Sequence, residues 1–194
     1  GRWGQLQEWE TDRDEKGDAH RHTSHLFAVY PGTTISKSAT PDLFVAARVA
    51  LEGRKLADDA WRSWVWPWRA ALWARLGDGE NAGEMVASLL RLNTLDGLFC
   101  THPPIQLDGN FGIVAAISEM LLQSHERTDD GRVLMRLLPA LPRAWQDGKV
   151  TGLRARGGYT VDLKWHNGEL VSKQIAGGDE NGFALSVGSK HRPF

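Results

Sequence analysis

Three histidines within six residues are the first candidates for chemistry in this sequence. Residues 20–25 read His-Arg-His-Thr-Ser-His. A zinc site is one hypothesis, although the spacing is not the i, i+4 pair of a helix face and no cysteine lies nearby. Burial of some of these rings, with hydrogen bonds to the backbone, is a second. The sharpest interpretation is a polar sugar-binding loop, in which the imidazoles and the Arg21 guanidinium donate to ring hydroxyls.

A second candidate lies in residues 101–112, which read Thr-His-Pro-Pro-Ile-Gln-Leu-Asp-Gly-Asn-Phe-Gly. The two prolines stiffen the chain, and the Asp-Gly-Asn that follows indicates a turn into a helix. Asp108 could merely cap that helix. It could instead be a carboxylate on a rigid loop that orients or activates a nucleophilic water.

Aromatic residues are concentrated in the same part of the chain, since seven of the nine tryptophans precede residue 74. They are typical of a Trp-rich helical core, and equally of a sugar site, because flat rings stack on the apolar faces of pyranoses. Glu8 beside Trp9, with Asp12 nearby, is compatible with a site wall or with a surface helix end.

Composition and missing motifs exclude several other classes. A net charge of -1 without clustered Lys and Arg argues against nucleic acid as a partner. No apolar run reaches the roughly 20 residues of a membrane helix. Cys100 is the single cysteine, so no internal disulfide can form. The sequence contains no Gly-x-Ser-x-Gly elbow, Walker loop or Gly-x-Gly-x-x-Gly motif.

The elements that must position these residues follow from periodicity. Helices are predicted over about 42–56, 68–76, 80–92 and 110–123, the first beginning at Thr40-Pro41. Two long stretches without periodicity separate them: residues 12–40, here called the first loop, and residues 93–109, the second loop. Long ordered loops in a compact domain are usually functional.

The pattern changes near residue 139. Turn signals at 147–148, 157–158 and 167–168 then alternate with short runs, and residues 159–165 alternate with period two. We therefore expect an α+β protein with a helical part over residues 1–138 and a small β domain over residues 139–194. The last ten or so residues are expected to be frayed.

Several segments, in order along the chain, together resemble glycoside hydrolase family 95, the inverting α-1,2-L-fucosidases and their close relatives. They are Leu-Gln-Glu-Trp at 6–9, the His-rich segment extended to Leu26, Tyr-Pro-Gly at 30–32, Leu-Trp-Ala-Arg-Leu-Gly-Asp-Gly at 72–79, residues 102–112, Leu-Leu-Pro-Ala-Leu-Pro at 137–142 and Gly-Leu-Arg-Ala-Arg-Gly-Gly at 152–158. The resemblance implies the later helices of an (α/α)6 barrel, followed by a C-terminal β-sandwich domain.

The resemblance also implies roles for four residues. Asp108 matches the carboxylate that polarises the water-holding amides, and Arg21, His22 and His102 match positions that contact the fucose. The general acid, a Glu, and the Asn residues that hold the water are expected upstream of residue 1. We therefore expect hydrolysis of terminal α-L-fucose with inversion by the complete enzyme, and no catalysis by this fragment alone.

The same resemblance implies a fucosylated oligosaccharide or polysaccharide as substrate, the missing N-terminal part of the same polypeptide as a partner, no cofactor or metal, and an extracellular or periplasmic location. Three alternatives stay open. The chain could come from a catalytically dead homologue that binds fucosylated glycans, from an α-L-galactosidase on the same fold, or from a metal-dependent protein that uses the histidines of residues 20–25.

One stretch departs from the family pattern. Residues 63–68 read Ser-Trp-Val-Trp-Pro-Trp, where the family usually has Gly-Trp-Ser-x-Ala-Trp ahead of the next helix. Pro67 predicts extended geometry for Trp66, because a proline disfavours the helical conformation of the residue before it. The changed packing is expected to affect substrate preference and activity.

Overall fold

The computed structural model describes residues 1–54 and 62–188, and it has an α+β architecture with helices first and strands after them. A short 3-10 helix, Ser24–Ala28, lies within the first loop. The helices are α1 (Pro41–Gly53), α2 (Val65–Arg75), α3 (Gly79–Leu92) and α4 (Leu107–Leu121). None of the helices in these ranges is both long enough and apolar enough to span a membrane.

Local signals explain where two of the helices begin. α1 starts at Pro41 with Thr40 in the N-cap position, which confirms the predicted start. α3 follows Asp78, whose carboxylate accepts a hydrogen bond from the backbone N–H of Asn81 at 3.0 Å. This bond satisfies one of the N–H groups that a helix leaves unpaired at its first turn.

The start of α2 differs from the sequence prediction. The helix begins at Val65 and includes Trp66 and Pro67, so the extended geometry predicted for Trp66 is wrong. Pro67 is the third residue of the helix, where its missing N–H would have no intrahelical partner. Trp66 is buried, and its indole N–H donates to Asn93 Oδ1 at 2.6 Å. Tertiary packing therefore overrides the local preference of the residue before proline.

α2 is the central helix, because almost all of its residues are buried. It packs against α3 and α4. The apolar core around it includes Leu72, Ala70 and Ala71, together with Leu26 of the first loop and Met120 of α4. The first loop is therefore folded onto the helical core, and this contact gives its polar side chains fixed positions.

Six strands follow the helices: β1 (Leu122–Arg127), β2 (Val133–Leu137), β3 (Gly148–Ala155), β4 (Tyr159–His166), β5 (Glu169–Ala176) and β6 (Phe183–Val187). They form two three-stranded sheets in the orders β1-β2-β6 and β3-β4-β5. Residues of both sheets, such as Met135 and Val161, share one apolar core. The predicted alternation of β4 is confirmed, and the hairpin at Asn167-Gly168 has the positive φ angles that such a turn requires.

Two strands come earlier than the pattern predicts. α4 ends at Leu121 and β1 begins at the next residue, so the predicted continuation of the helix to residue 123 is wrong. The sheet β1-β2-β6 combines strands from both sides of residue 139, and the domain boundary placed there stays a prediction. Residues 183–187 form β6 and are not frayed; residues 189–194 lie outside the described range.

Candidate active site

The two long loops meet at the residues that lead into α2, which we call the Arg62–Trp64 strip. The backbone N–H of Ser63 donates to the carbonyl of Thr101 in the second loop at 3.1 Å. Arg62 Nη1 lies 2.8 Å from His102 Nε2. On the other side of the strip, the Trp64 ring lies 4.9 Å from the ring of His22 in the first loop. One short segment therefore contacts both predicted sugar-binding histidines.

Hydrogen bonds to the core fix the first loop. The indole N–H of Trp68 donates to Thr23 Oγ1 at 2.7 Å, and the Arg54 Nη1 group donates to the carbonyl oxygen of His22 at 3.2 Å. Arg54 also pairs with Glu8 and, at 3.3 Å, with Asp18. A single guanidinium at the end of α1 thus connects Glu8, which could form part of a site wall, to the backbone of His22, a predicted sugar-binding residue.

The His22 ring is exposed, which suits a group that contacts a ligand. Partial burial, followed by the charge of the neighbouring Arg21, lowers the pKa of His22 from its ordinary value. The neutral ring is therefore favoured near pH 7, and it can both donate and accept a hydrogen bond. His20 lies against it with ring centres 5.2 Å apart, and Arg21 is half-buried next to it in the chain.

Neutral groups hold the second loop. Asn110 Oδ1 accepts a hydrogen bond from the Cys100 N–H at 2.9 Å, and its Nδ2 donates to the carbonyl of Leu98 at 2.7 Å. The carbonyl oxygen of Asn93 accepts a bond from the Thr101 N–H at 2.8 Å. These bonds fix the chain on both sides of residues 102–108 without using any charged side chain.

Asp108 lies in the first turn of α4 and its side chain is exposed. Within the described ranges no hydrogen bond or ion pair is found for its carboxylate, and Gln106 occupies the N-cap position. Asp108 therefore does not cap α4. A negative charge in the first turn is nevertheless favoured by the helix dipole.

Two glycines beside Asp108 bring α4 close to the strip and to α2. A Cβ on Gly109 would lie 2.8 Å from Ser63 Oγ and 2.7 Å from Cys100 Cβ, and a Cβ on Gly112 would lie 2.9 Å from Pro67 Cβ. Any larger residue would therefore push the helix away. Ser63 and Pro67, which depart from the family pattern, pack directly against the residues that position Asp108.

These contacts connect three of the four predicted residues to the Arg62–Trp64 strip. His22 and His102 touch the Arg62–Trp64 strip, and Asp108 precedes the glycine that packs on Ser63. Arg21 is the immediate neighbour of His22. The contacts place these side chains around one segment, and their catalytic and binding roles stay predictions.

Two residues that hold these side chains carry no signal in the sequence motifs. Arg62 and Arg54 take part only through contacts with residues far away in the chain. Trp64 differs, because it matches a tryptophan of the family pattern at residues 63–68.

Other candidate sites have less support. In the described parts of the chain, no group of three or more His, Cys, Asp or Glu side chains could hold a metal ion. A cavity of about 650 Å³ lies where the helices meet the sheets, but none of the four predicted site residues lines it. Of its three acidic residues, Glu126 is paired with Arg136 at 2.6 Å and accepts a hydrogen bond from Ser38. These charges stabilise the junction between helices and sheets.

Comparison with known proteins defines the class. The family model described as "Glycosyl hydrolase family 95 catalytic domain" matches residues 1–121, and the one described as "Glycoside hydrolase family 95, C-terminal domain" matches residues 123–192. The chain therefore belongs to glycosyl hydrolase family 95, which confirms the resemblance. The two matches meet where α4 ends and β1 begins.

The chain is also similar to curated proteins. It is 42% identical over 180 residues to "Alpha-L-fucosidase 2" of Arabidopsis thaliana, which covers 87% of this chain and 20% of that protein. It is 36% identical over 182 residues to "Probable alpha-fucosidase A" of Aspergillus niger, covering 88% of this chain and 23% of that protein. A protein of the same name from Aspergillus oryzae is 36% identical over 200 residues, with 92% and 27% covered. The chain thus spans about a quarter or less of the length of these relatives.

Proposed function

We propose that this chain is the C-terminal part of an enzyme that releases terminal α-L-fucose from glycans with inversion at the anomeric carbon. The observation that carries the proposal is the position of Asp108, an exposed carboxylate at the start of α4, beside the strip that contacts His22 and His102. Membership of glycosyl hydrolase family 95 and the printed names of the relatives support the substrate.

Inversion needs two groups on opposite sides of the sugar. One acid protonates the leaving oxygen, and a base on the other side activates water, with about 6.5–9.5 Å between the two carboxyl groups. An amide alone is a poor base. A carboxylate that accepts a hydrogen bond from the amide N–H makes the amide oxygen a better acceptor for the water proton. Asp108 takes this part, while the acid and the amides come from the part of the polypeptide before residue 1.

Other residues beside the Arg62–Trp64 strip supply the sugar contacts. His22 and His102 donate to or accept from ring hydroxyls, and Arg21 donates to them. The half-buried Trp64 ring offers a flat apolar surface next to His22. Fucose carries no charge, so these neutral and cationic donors bind it through hydroxyl groups, and the site does not need a counter-ion.

The test is Asp108→Asn in the complete polypeptide. The amide cannot act as the negative acceptor, so kcat on a fucosyl oligosaccharide is expected to fall by about 10²–10⁴-fold, with a small change in KM. Asp96→Asn is the matched control, because Asp96 is another exposed carboxylate of the second loop. NMR of the first product formed would report inversion. A near-normal kcat for Asp108→Asn, or retention, would reject the proposal.

A binding protein without activity is the second candidate, and the unusual residues Ser63 and Pro67 favour it because they pack against the glycines next to Asp108. Calorimetric titration of the complete polypeptide with a fucoside, together with a turnover assay, separates binding from catalysis. Paired aryl α-L-fucoside and α-L-galactoside substrates test the sister activity, since the two sugars differ by a hydroxyl at C6. The 194-residue chain alone is expected to show no turnover.

A further inference from the structure

The contact between Arg62 and His102 determines more than the position of the ring. Arg62 Nη1 lies 2.8 Å from His102 Nε2. A guanidinium group has only donors and keeps its proton at any ordinary pH. The Nε2 atom must therefore be the acceptor in this bond. In the neutral imidazole the single ring proton is then on Nδ1.

The backbone holds the two residues in this arrangement. Ser63, next to Arg62, donates its N–H to the carbonyl of Thr101, next to His102, at 3.1 Å. Ser63 is completely buried. Since the residues adjacent to both partners are joined by a buried backbone bond, the backbones of Arg62 and His102 are held close together, within reach of the side-chain contact.

We propose that Arg62 is a positioning residue that fixes the Nδ1–H tautomer of His102, so that this ring presents a hydrogen-bond donor to a substrate hydroxyl. The inference rests on the proposed function, because it takes His102 as a sugar contact. Arg62 itself acts through His102.

A fixed tautomer matters because a sugar hydroxyl can both donate and accept. When Nδ1 donates, the hydroxyl must accept there, and its own proton is directed to another acceptor in the site. A ring free to change tautomer would allow both directions of the hydrogen-bond network. The Arg62 contact therefore selects one direction and reduces the number of states that the bound sugar can occupy.

The test uses three variants of the complete polypeptide. Arg62→Met keeps most of the side-chain length and removes the donor, whereas Arg62→Lys keeps a donor. Arg132→Met is the control, because Arg132 is an exposed residue that pairs with Asp130 in the turn between β1 and β2. Nitrogen-15 NMR of histidine-labelled protein distinguishes the two tautomers, and the His102→Gln variant assigns the signal.

We expect the Nδ1–H form of His102 in the unsubstituted protein, in Arg62→Lys and in Arg132→Met, and a mixture of tautomers in Arg62→Met. We also expect kcat/KM to fall about tenfold in Arg62→Met, mainly through KM, with partial recovery in Arg62→Lys. An Nε2–H signal in the unsubstituted protein, or an unchanged signal in Arg62→Met, would overturn the inference. The tautomer is read without turnover, so an inactive protein with the expected signals would reject the proposed fucosidase and leave the tautomer assignment standing.

Discussion

The two loops that meet at the Arg62–Trp64 strip are held in place by different kinds of interaction. In the first loop, Arg54 donates to the carbonyl of His22 and forms ion pairs with Glu8 and Asp18. In the second loop, Asn93 and Asn110 bond to backbone and indole groups. The first loop depends mainly on the charged Arg54 and the second mainly on neutral amides, although Arg62 also contacts His102 in the second loop.

The difference in anchoring follows from the distance between each loop and the residues that hold it. Arg54 stands at the end of α1 and extends a long side chain to the first loop. The second loop folds back on itself, with Thr94 and Cys100 forming an isolated bridge, so short amides are sufficient. A long arginine side chain reaches farther than an amide. Removing one partner of a buried ion pair, however, strongly lowers the free energy of unfolding.

The substitution with the largest expected effect breaks the charged anchor. The side chains of Arg54 and Glu8 are only 6% and 11% exposed. Arg54→Met would leave the Glu8 carboxylate without its guanidinium partner, so the free energy of unfolding is expected to fall by about 3 kcal/mol. Urea unfolding of the complete polypeptide measures this loss. The hydrogen-exchange rates of residues 18–25 show whether the first loop is destabilised.

The matched control for that substitution is Arg91→Met. Arg91 pairs with Glu84 at 2.7 Å, but both side chains are more than half exposed. An exposed pair contributes about 1 kcal/mol or less. If Arg54→Met and Arg91→Met destabilised the protein equally, the charged anchor would have no special role and the contrast between the loops would be wrong.

The next effect in size comes from the neutral anchor. Asn93 is buried, accepts from the Trp66 indole at 2.6 Å and donates to Thr101 Oγ1 at 3.3 Å. Asn93→Ala would leave the buried indole N–H unpaired, and a loss of about 2 kcal/mol is expected in urea unfolding. Asn181→Ala, at an exposed turn, is the control and should change stability little. A loss at Asn93 as small as that at Asn181 would contradict the role given to the amide.

Local signals made part of this fold predictable. Thr40-Pro41 marks the start of α1, and Asn167-Gly168 marks the β4–β5 hairpin; both depend on residues adjacent in the chain. β1 was not predictable in the same way, because residues 122–127 contain no Val, Ile, Thr, Phe, Tyr or Trp, and Leu122 continues the apolar pattern of α4. Packing of that segment against β2 decides its conformation.

The candidate site shows the same limit. Motifs identify His22, His102 and Asp108, since their loops carry the family pattern. Arg62 and Arg54 cannot be identified in this way. Their partners lie about 30 to 45 residues away in the chain. A contact of that kind forms only when the helices pack, so the spacing of residues in the sequence does not predict it.

The smallest effect we expect is a difference between the two loops in how their stability depends on pH. Burial lowers the pKa of His25 in the first loop, with Glu8 acting in the opposite direction and Arg54 in the same direction. The unfolded ring, with a pKa of about 6.5, binds protons more readily than the folded one, so stability of this loop is lost as pH falls below about 6.5. The amides that hold the second loop do not titrate.

Hydrogen exchange at pH 7 and pH 5.5, corrected for the intrinsic rate, measures this difference. Protection of residues 20–28 should fall relative to residues 93–102, and His25→Gln should remove most of that relative change. His125, whose pKa burial lowers to about 4, destabilises the whole fold in the same pH range, which is why the ratio between the loops is the quantity to compare. Equal loss in both loops, or an unchanged ratio in His25→Gln, would show that the charge in the first loop does not distinguish it from the second.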